Sequence, residues 1–186
     1  MNQRTNPRAH ESPLHLGVDI GRVLCSGEGA DTSFFAASDE EALRTPEVPF
    51  AVEALARLVP RLSGRVWLVS KCGPKIERRT RAWLAAIRFH ERTGVPAAHV
   101  HFCRERRDKA PICQRLGIQC FVDDRADVLS AMEGIVQHRL LFGPQRGPID
   151  RRYVAVPTWR EGEAIIGELI AARSRAATGA PAERGP

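Results

Sequence analysis

Apolar residues alternate with polar or small ones along Leu14-His15-Leu16-Gly17-Val18-Asp19-Ile20, the period-two pattern of a strand. Shorter apolar runs recur at Arg65 to Ser70, Val100 to Cys103, Gln119 to Asp124 and Arg139 to Phe142. Between them the period lengthens to that of helices. Val52, Leu55, Leu58 and Val59 mark one that Pro49 opens, and Ile76, Trp83, Leu84 and Ile87 mark one from Pro74 to about Arg88. Ile112, Cys113 and Leu116 mark a third that starts at Lys109, with Asp108 as cap and Gly117 as stop. A short helix over 126–132 and a last one from Trp159 to Arg173, carrying Ile165, Ile166, Leu169 and Ile170, complete the set. Glu91 to Ala98 reads as a loop, and Tyr153 to Val156 as an extended piece of the loop that follows Pro144.

Strands alternating with helices predict an α/β, Rossmann-like three-layer fold around a mostly parallel five-stranded sheet. The organisation expected is a flexible N-terminal tail over 1–13, a single domain over 14–173 and a disordered Ala/Gly/Pro-rich tail over 174–186. The stretch of about 22–48, rich in Gly, Ser, Asp and Glu, is too long for an ordinary βα loop. It reads as a small cap-like insertion after the first strand, with Phe34-Phe35 available to anchor it.

Right-handed crossovers put the C-terminal ends of parallel strands on one edge. Asp19, Ser70 and the pair Asp123-Asp124 then share that edge, and Lys109 begins a helix facing the same mouth. An unpaired carboxylate inside a two-sided sheet costs several kcal/mol, roughly, to desolvate. Asp19 is therefore either a turn or capping residue or a functional centre at the crevice where open α/β sheets bind ligands. Carboxylates, a hydroxyl and a lysine in one place are the parts for a divalent metal and a phosphate: carboxylate oxygens suit Mg²⁺, and lysine and serine hold phosphoryl oxygens.

Charge sharpens this picture. The chain of 186 residues has a net charge of +6, almost all of it arginine, and only three lysines: Lys71, Lys75 and Lys109. Where arginine supplies generic charge, a retained lysine suits a site that needs a compact ammonium. The arginines are scattered and no aromatic-basic recognition motif accompanies them, which argues against nucleic acid as the partner. Arg104 to Arg107 either steer an anion toward the mouth or form a plain solvated loop. No apolar run reaches the ~18 residues of a membrane span, and the N-terminal stretch lacks an apolar signal core, so a cytoplasmic protein without a membrane partner is expected. Five cysteines without a Cys-x-x-Cys pair argue against a disulfide framework and a zinc knuckle.

In order along the chain, Gly17-Val18-Asp19-Ile20-Gly21, Leu68-Val69-Ser70, Arg107-Asp108-Lys109 and Phe121-Val122-Asp123-Asp124 resemble the four motifs of the haloacid dehalogenase-like (HAD) superfamily of phosphatases. In layout the resemblance is greatest to its deoxyribonucleotidase-type branch, and it covers Leu14 to about Phe142. It implies a nucleophilic Asp19 that forms an aspartyl-phosphate. It also implies Mg²⁺ held by the Asp19 carboxylate, the Gly21 carbonyl and Asp123 or Asp124. A phosphoryl group bound by Ser70 and Lys109, with Lys71 beside them, and a small phosphorylated molecule as substrate complete the expectation.

One position departs from that pattern. The hydrolases it resembles usually carry a second aspartate two residues after the nucleophile, as general acid and base; Gly21 stands there. Such help is worth roughly 10²–10⁴-fold. Another acid substitutes, with Asp31 or Glu28 as candidates; or the leaving group is good enough to need none; or turnover is lost and the chain binds a phosphorylated ligand or a partner. Two further patterns compete weakly. Cys72-x₅-Arg78 has the spacing of a cysteine phosphatase loop but no glycine-rich cradle, and His99 with His101 would share a strand face without a third metal ligand nearby.

Overall fold

The computed structural model describes residues 13–27 and 38–178. Six parallel strands form one sheet: β1 (Leu16–Val18), β2 (Val66–Lys71), β3 (Val100–Cys103), β4 (Cys120–Asp123), β5 (His138–Phe142) and β6 (Val154–Val156). The strand count expected from the sequence was five. Val154–Val156 adds a sixth, pairing with β5 through Leu140↔Val154 and Phe142↔Val156. As a short edge strand with two exposed residues it carries too weak an apolar signal to stand out.

The sheet order is β3-β2-β1-β4-β5-β6. The chain steps outward from β1 to β3, then crosses back to lay β4 on the other side of β1. That reversal makes β1 and β4 the switch point, outside whose carboxyl ends open α/β sheets place their ligands. The described residues also form seven helices, α1 (Asp39–Leu43), α2 (Ala51–Arg61), α3 (Pro74–Ala86), α4 (Phe89–Thr93), α5 (Lys109–Leu116), α6 (Ala126–Ala131) and α7 (Trp159–Thr178), with α1 packed on α3.

Alternation along the strands feeds two cores. Leu16, Val18, Leu68, Val122 and Leu140 pack with Leu55, Leu58, Trp83, Phe89 and Trp159. Val69, Phe121 and Leu141 face the other way, among Cys113, Leu129 and Met132. Gly17 belongs to the second face, where a Cβ would meet Phe121 Cδ2 at 2.4 Å and Ile118 Cδ1 at 3.0 Å. The Phe121 ring fills the space a side chain at 17 would take, so the closest approach of β1 to β4 depends on glycine.

Several boundaries differ from the sequence reading. Helix α2 begins at Ala51 rather than Pro49, because Phe50 is its N-cap and sits in left-handed backbone with φ of 65°. The segment read as a loop after Arg88 is helical over Phe89–Thr93, and only its Gly94 end is a turn. Asp108 does not cap α5 through its side chain; its Oδ2 instead accepts the Glu105 amide at 3.1 Å across the short 3-10 turn Arg106–Asp108. Helix α7 runs past the expected end at Arg173 to Thr178, and the rest of the C-terminal tail lies outside the described residues. The N-terminal tail lies outside them too, apart from Pro13.

The insertion after β1 is not irregular throughout. It leaves and returns through a short antiparallel pairing, with Cys25 bridged to Glu47 and Ser26 N–H and Val48 N–H donating to Pro46 and Leu24 carbonyls at 2.8 Å. Ser38 then caps helix α1 by accepting the Glu41 amide at 3.1 Å. Residues 28–37, with Phe34-Phe35, Glu28 and Asp31, lie outside the described residues. Two buried tryptophans tie this region to the body: Trp83 Nε1–H donates to Thr45 O at 2.8 Å and Trp159 Nε1–H to Val23 O at 2.6 Å. Among the described residues no helix is long and apolar enough to cross a membrane.

Gly17→Ala is expected to destabilise the fold by about 1–3 kcal/mol, since neither Phe121 nor Ile118 has space to retreat. Urea unfolding followed by circular dichroism checks this; an unchanged midpoint would mean β1 and β4 are not so close at that point.

Candidate active site

The register fixes which side chains meet. Val18 pairs with Val122, so Asp19 and Asp123 leave their strands level and, by alternation, on the same face. That face is the one α5 covers, and Lys109 is the first residue of α5. Its ammonium lies 2.8 Å from Asp19 Oδ1 and 2.7 Å from Asp123 Oδ2. Lys109 is 2% exposed, Asp123 fully buried and Asp19 7% exposed. The Asp123 carboxylate is used on both oxygens, because its Oδ1 accepts the Arg125 amide at 3.0 Å. Asp19 Oδ1 is sealed from solvent and, beyond its charge contact with Lys109, has no well-directed hydrogen bond.

Asp124 turns toward the cleft at the strand ends and pairs with Arg22 Nε at 3.0 Å. Oxygens of Asp19, Asp123 and Asp124 all lie within 4.8 Å of one another. Burial works against the charge on Lys109, but Asp123 and Asp19 outweigh it and hold the ammonium protonated. Burial pushes the Asp123 carboxyl up, with Lys109 pulling it back. Asp124 is raised by burial and by the Asp19 charge, against Arg22.

The turn after β1 is a single tight helical one. Ile20 O accepts from Leu24 N at 2.9 Å and Cys25 N at 3.1 Å, and Arg22 sits in left-handed backbone with φ of 57°. This winding turns the chain sharply at Gly21, so that Gly21 and the Arg22 side chain both line the cleft with Asp19. Ser70 and Lys71 reach it from the end of β2, and Lys109, Asp124 and Arg125 from the other side. The inner space among them is about 40 Å³, several times what one water needs, and it opens outward to solvent.

All the residues singled out at the strand ends therefore converge. Asp19, Gly21, Ser70, Lys71, Lys109 and Asp124 line one cleft, and Asp123 sits directly beneath it, in contact with Lys109. Of the other four residues lining it, Arg22, Arg125 and Val128 carried no signal in the sequence, and Arg106 stood only as one of the run Arg104 to Arg107. Of the run Arg104 to Arg107, Arg106 alone lines it; Arg104 donates to Cys72 O at 2.7 Å and Arg107 pairs with Glu105. Only the 3-10 turn, invisible in the charge pattern, separates the one from the others.

The weaker patterns do not assemble. Burial pushes the Cys72 thiol up to about 12, the opposite of an activated nucleophile, and Arg78 lies 3.9 Å from Asp39. His99 belongs to a 3-10 turn before β3 rather than to the strand, where its Nδ1–H donates to Val66 O at 2.9 Å and its ring stacks on Trp67. His101 pairs in register with Val69, and neither histidine joins a group of three metal-ligating side chains among the described residues.

The donor set suits a hard divalent cation. Three close carboxylates face one ammonium and one guanidinium, so negative charge is in excess, and all candidate donors are oxygens. Asp19 and Asp124, which both line the cleft, are the side chains that could hold it there.

No protein-family model matches the chain, and no curated protein is similar enough to match it. Among solved structures it is similar to a haloacid dehalogenase-like family hydrolase from Xanthomonas campestris. The two are 12% identical with a TM-score of 0.57, over 88% of this chain and 99% of that one. The chain thus has a haloacid dehalogenase-like, Rossmann-like α/β fold.

Lys109→Met leaves Asp123 and Asp19 buried without their counter-charge and is expected to cost about 3–5 kcal/mol. The double variant Lys109→Met/Asp123→Asn is expected to recover part of that loss in urea unfolding. Equal stability of Lys109→Met and the native chain would show that the buried ion pair is not formed.

Proposed function

We propose that this protein is a Mg²⁺-dependent phosphoryl hydrolase that works through an aspartyl-phosphate on Asp19. The observation that carries the reading is the placement of Lys109: one buried ammonium binds Asp19 and Asp123 at once, while Asp19 and Asp124 open on a cationic cleft. The fold likeness to a solved hydrolase supports it.

In this reading the phosphoryl group of a small phosphorylated molecule enters the cleft between Ser70, Lys71 and Lys109. Asp19 attacks phosphorus, the bond to the leaving oxygen breaks with its electron pair on that oxygen, and Asp19 becomes an acyl phosphate. Water then attacks the same phosphorus, the phosphorus–Asp19 oxygen bond breaks with its electron pair on the carboxylate, and both protons of the water leave on the freed dihydrogen phosphate. Covalent catalysis thereby splits one displacement into two. Lys109 spreads the charge that builds on the equatorial oxygens, and its contact with Asp123 keeps it aimed and protonated. Bound Mg²⁺ would add Lewis-acid stabilisation of that charge. Asp123, sealed below the cleft, acts as the holder of Lys109, and Asp124 as the cation ligand. Five free cysteines, all buried, fit a reducing, cytoplasmic setting.

The cleft holds no general acid in the expected place. Among the described residues that line it the carboxylates are Asp19 and Asp124, and both are already committed. This favours substrates with good leaving groups. It also supports a second reading, a module that binds a phosphorylated ligand or partner without turning it over.

Phosphate release from acetyl phosphate is expected to require Mg²⁺ and to vanish in Asp19→Asn. The backbone at Gly21 is not left-handed, so an L residue meets no backbone strain there. Gly21→Asp is therefore expected to raise hydrolysis of alkyl monoesters by roughly 10²–10⁴-fold. A native chain that binds Mg²⁺ yet releases no phosphate from acetyl phosphate would leave the binding module as the better account.

A further inference from the structure

A second cleft of about 450 Å³ adjoins the first, and Arg22 lines both. It lies between Pro49-Phe50, at the start of α2, and the segment that leads into α7, with Phe142, Pro144 and Pro157 in its walls. Its size is that of a small-molecule site, and apolar rings dominate its walls. We propose that this cleft receives the organic half of the phosphate substrate, and that this half is a flat, apolar ring rather than a sugar. The inference rests on the reading of Asp19 and Lys109 as the phosphoryl site.

Three observations carry it. The first is Phe50. It is 41% exposed, and it holds left-handed backbone, which a bulky residue adopts only at a cost. Glycine or asparagine would cap α2 there with less strain. The ring is what phenylalanine adds, and that ring faces the cleft with the Arg160 guanidinium stacked 3.7 Å from its centroid. The second is the state of the polar rim. Ser26 Oγ donates to Pro46 O at 3.1 Å, and the Thr158 hydroxyl is bound to Glu161. The guanidiniums of Arg22 and Arg160 are the polar side chains left on the rim. Both only donate, so sugar hydroxyls entering here would give up water without a free side-chain acceptor, whereas an aromatic ring gives up no hydrogen bond and can stack on a guanidinium. The third is the leaving group itself. A phenol, with a pKa of about 10, departs as phenolate far more readily than a sugar alkoxide does. The P–O bond breaks with its electron pair on the phenolate oxygen, which takes a proton from solvent water, so the step does not need the acid missing at Gly21. The apolar cleft and the absent acid thus select the same substrates, aryl phosphate monoesters.

The test uses the full chain, residues 28–37 included, and two phosphonates that cannot be hydrolysed. In calorimetric titration with Mg²⁺ present, (1-naphthylmethyl)phosphonate is expected to bind about tenfold or more tightly than methylphosphonate. Phe50→Asn, which suits left-handed backbone and so keeps the fold, is expected to erase most of that gain while leaving methylphosphonate affinity as it was. Equal affinities for the two probes, no binding of either, or a gain that survives Phe50→Asn would overturn the proposal. Turnover separates this from the reading it rests on. Ring preference without acetyl phosphate hydrolysis upholds the cleft and removes the hydrolase, and hydrolysis without ring preference does the reverse.

Discussion

The structure depends on one buried ammonium. Lys109 stands at the head of α5, out of water, between two carboxylates that end adjacent strands. Remove the ammonium and both carboxylates are stranded in a medium that penalises lone charge. The requirement runs outward through the fold. The carboxylates are level because β1 and β4 pair in register, and they point the same way because strands alternate. The ammonium reaches them because a 3-10 turn delivers α5 with its first residue over the sheet. Gly17 and Phe121 let the two strands draw together beneath it.

Such a triad keeps charge in excess on the acidic side, and Asp124 adds to it. The surplus is what a hard cation relieves. Arg22 takes up part of the same surplus from the other flank, and does so from a strained backbone position that the tight turn after Ile20 imposes. The site is thus assembled from two kinds of constraint: strand register, which is rigid, and a wound loop, which holds strain in place.

Much of this was legible in the chain before any coordinates. Short apolar runs that stop at Asp19, Ser70 and Asp123, with Lys109 heading a helix, are local patterns, and the right-handed crossover does the rest. What stayed hidden is what local pattern does not encode. Val154–Val156 pairs as an edge strand through backbone alone, with two of its three side chains in solvent. Arg22, Arg106 and Arg125 are three arginines among many, and only tertiary placement separates them from Arg104 and Arg107. Phe50 carried no signal, because nothing in the sequence announces left-handed backbone at a phenylalanine. His99 looked like a strand partner of His101 until a 3-10 turn took it off the strand.

The paired backbone at Cys25 and Glu47 has a consequence of its own. It clamps the two ends of the inserted stretch side by side, so whatever lies between them hangs from a closed neck. Lengthening, trimming or exchanging that stretch changes loop entropy only slowly and need not disturb strand register below the neck. The ion triad answers to the sheet and not to the length of that stretch, so the chain can gain or lose residues above the neck while the charges below keep their spacing.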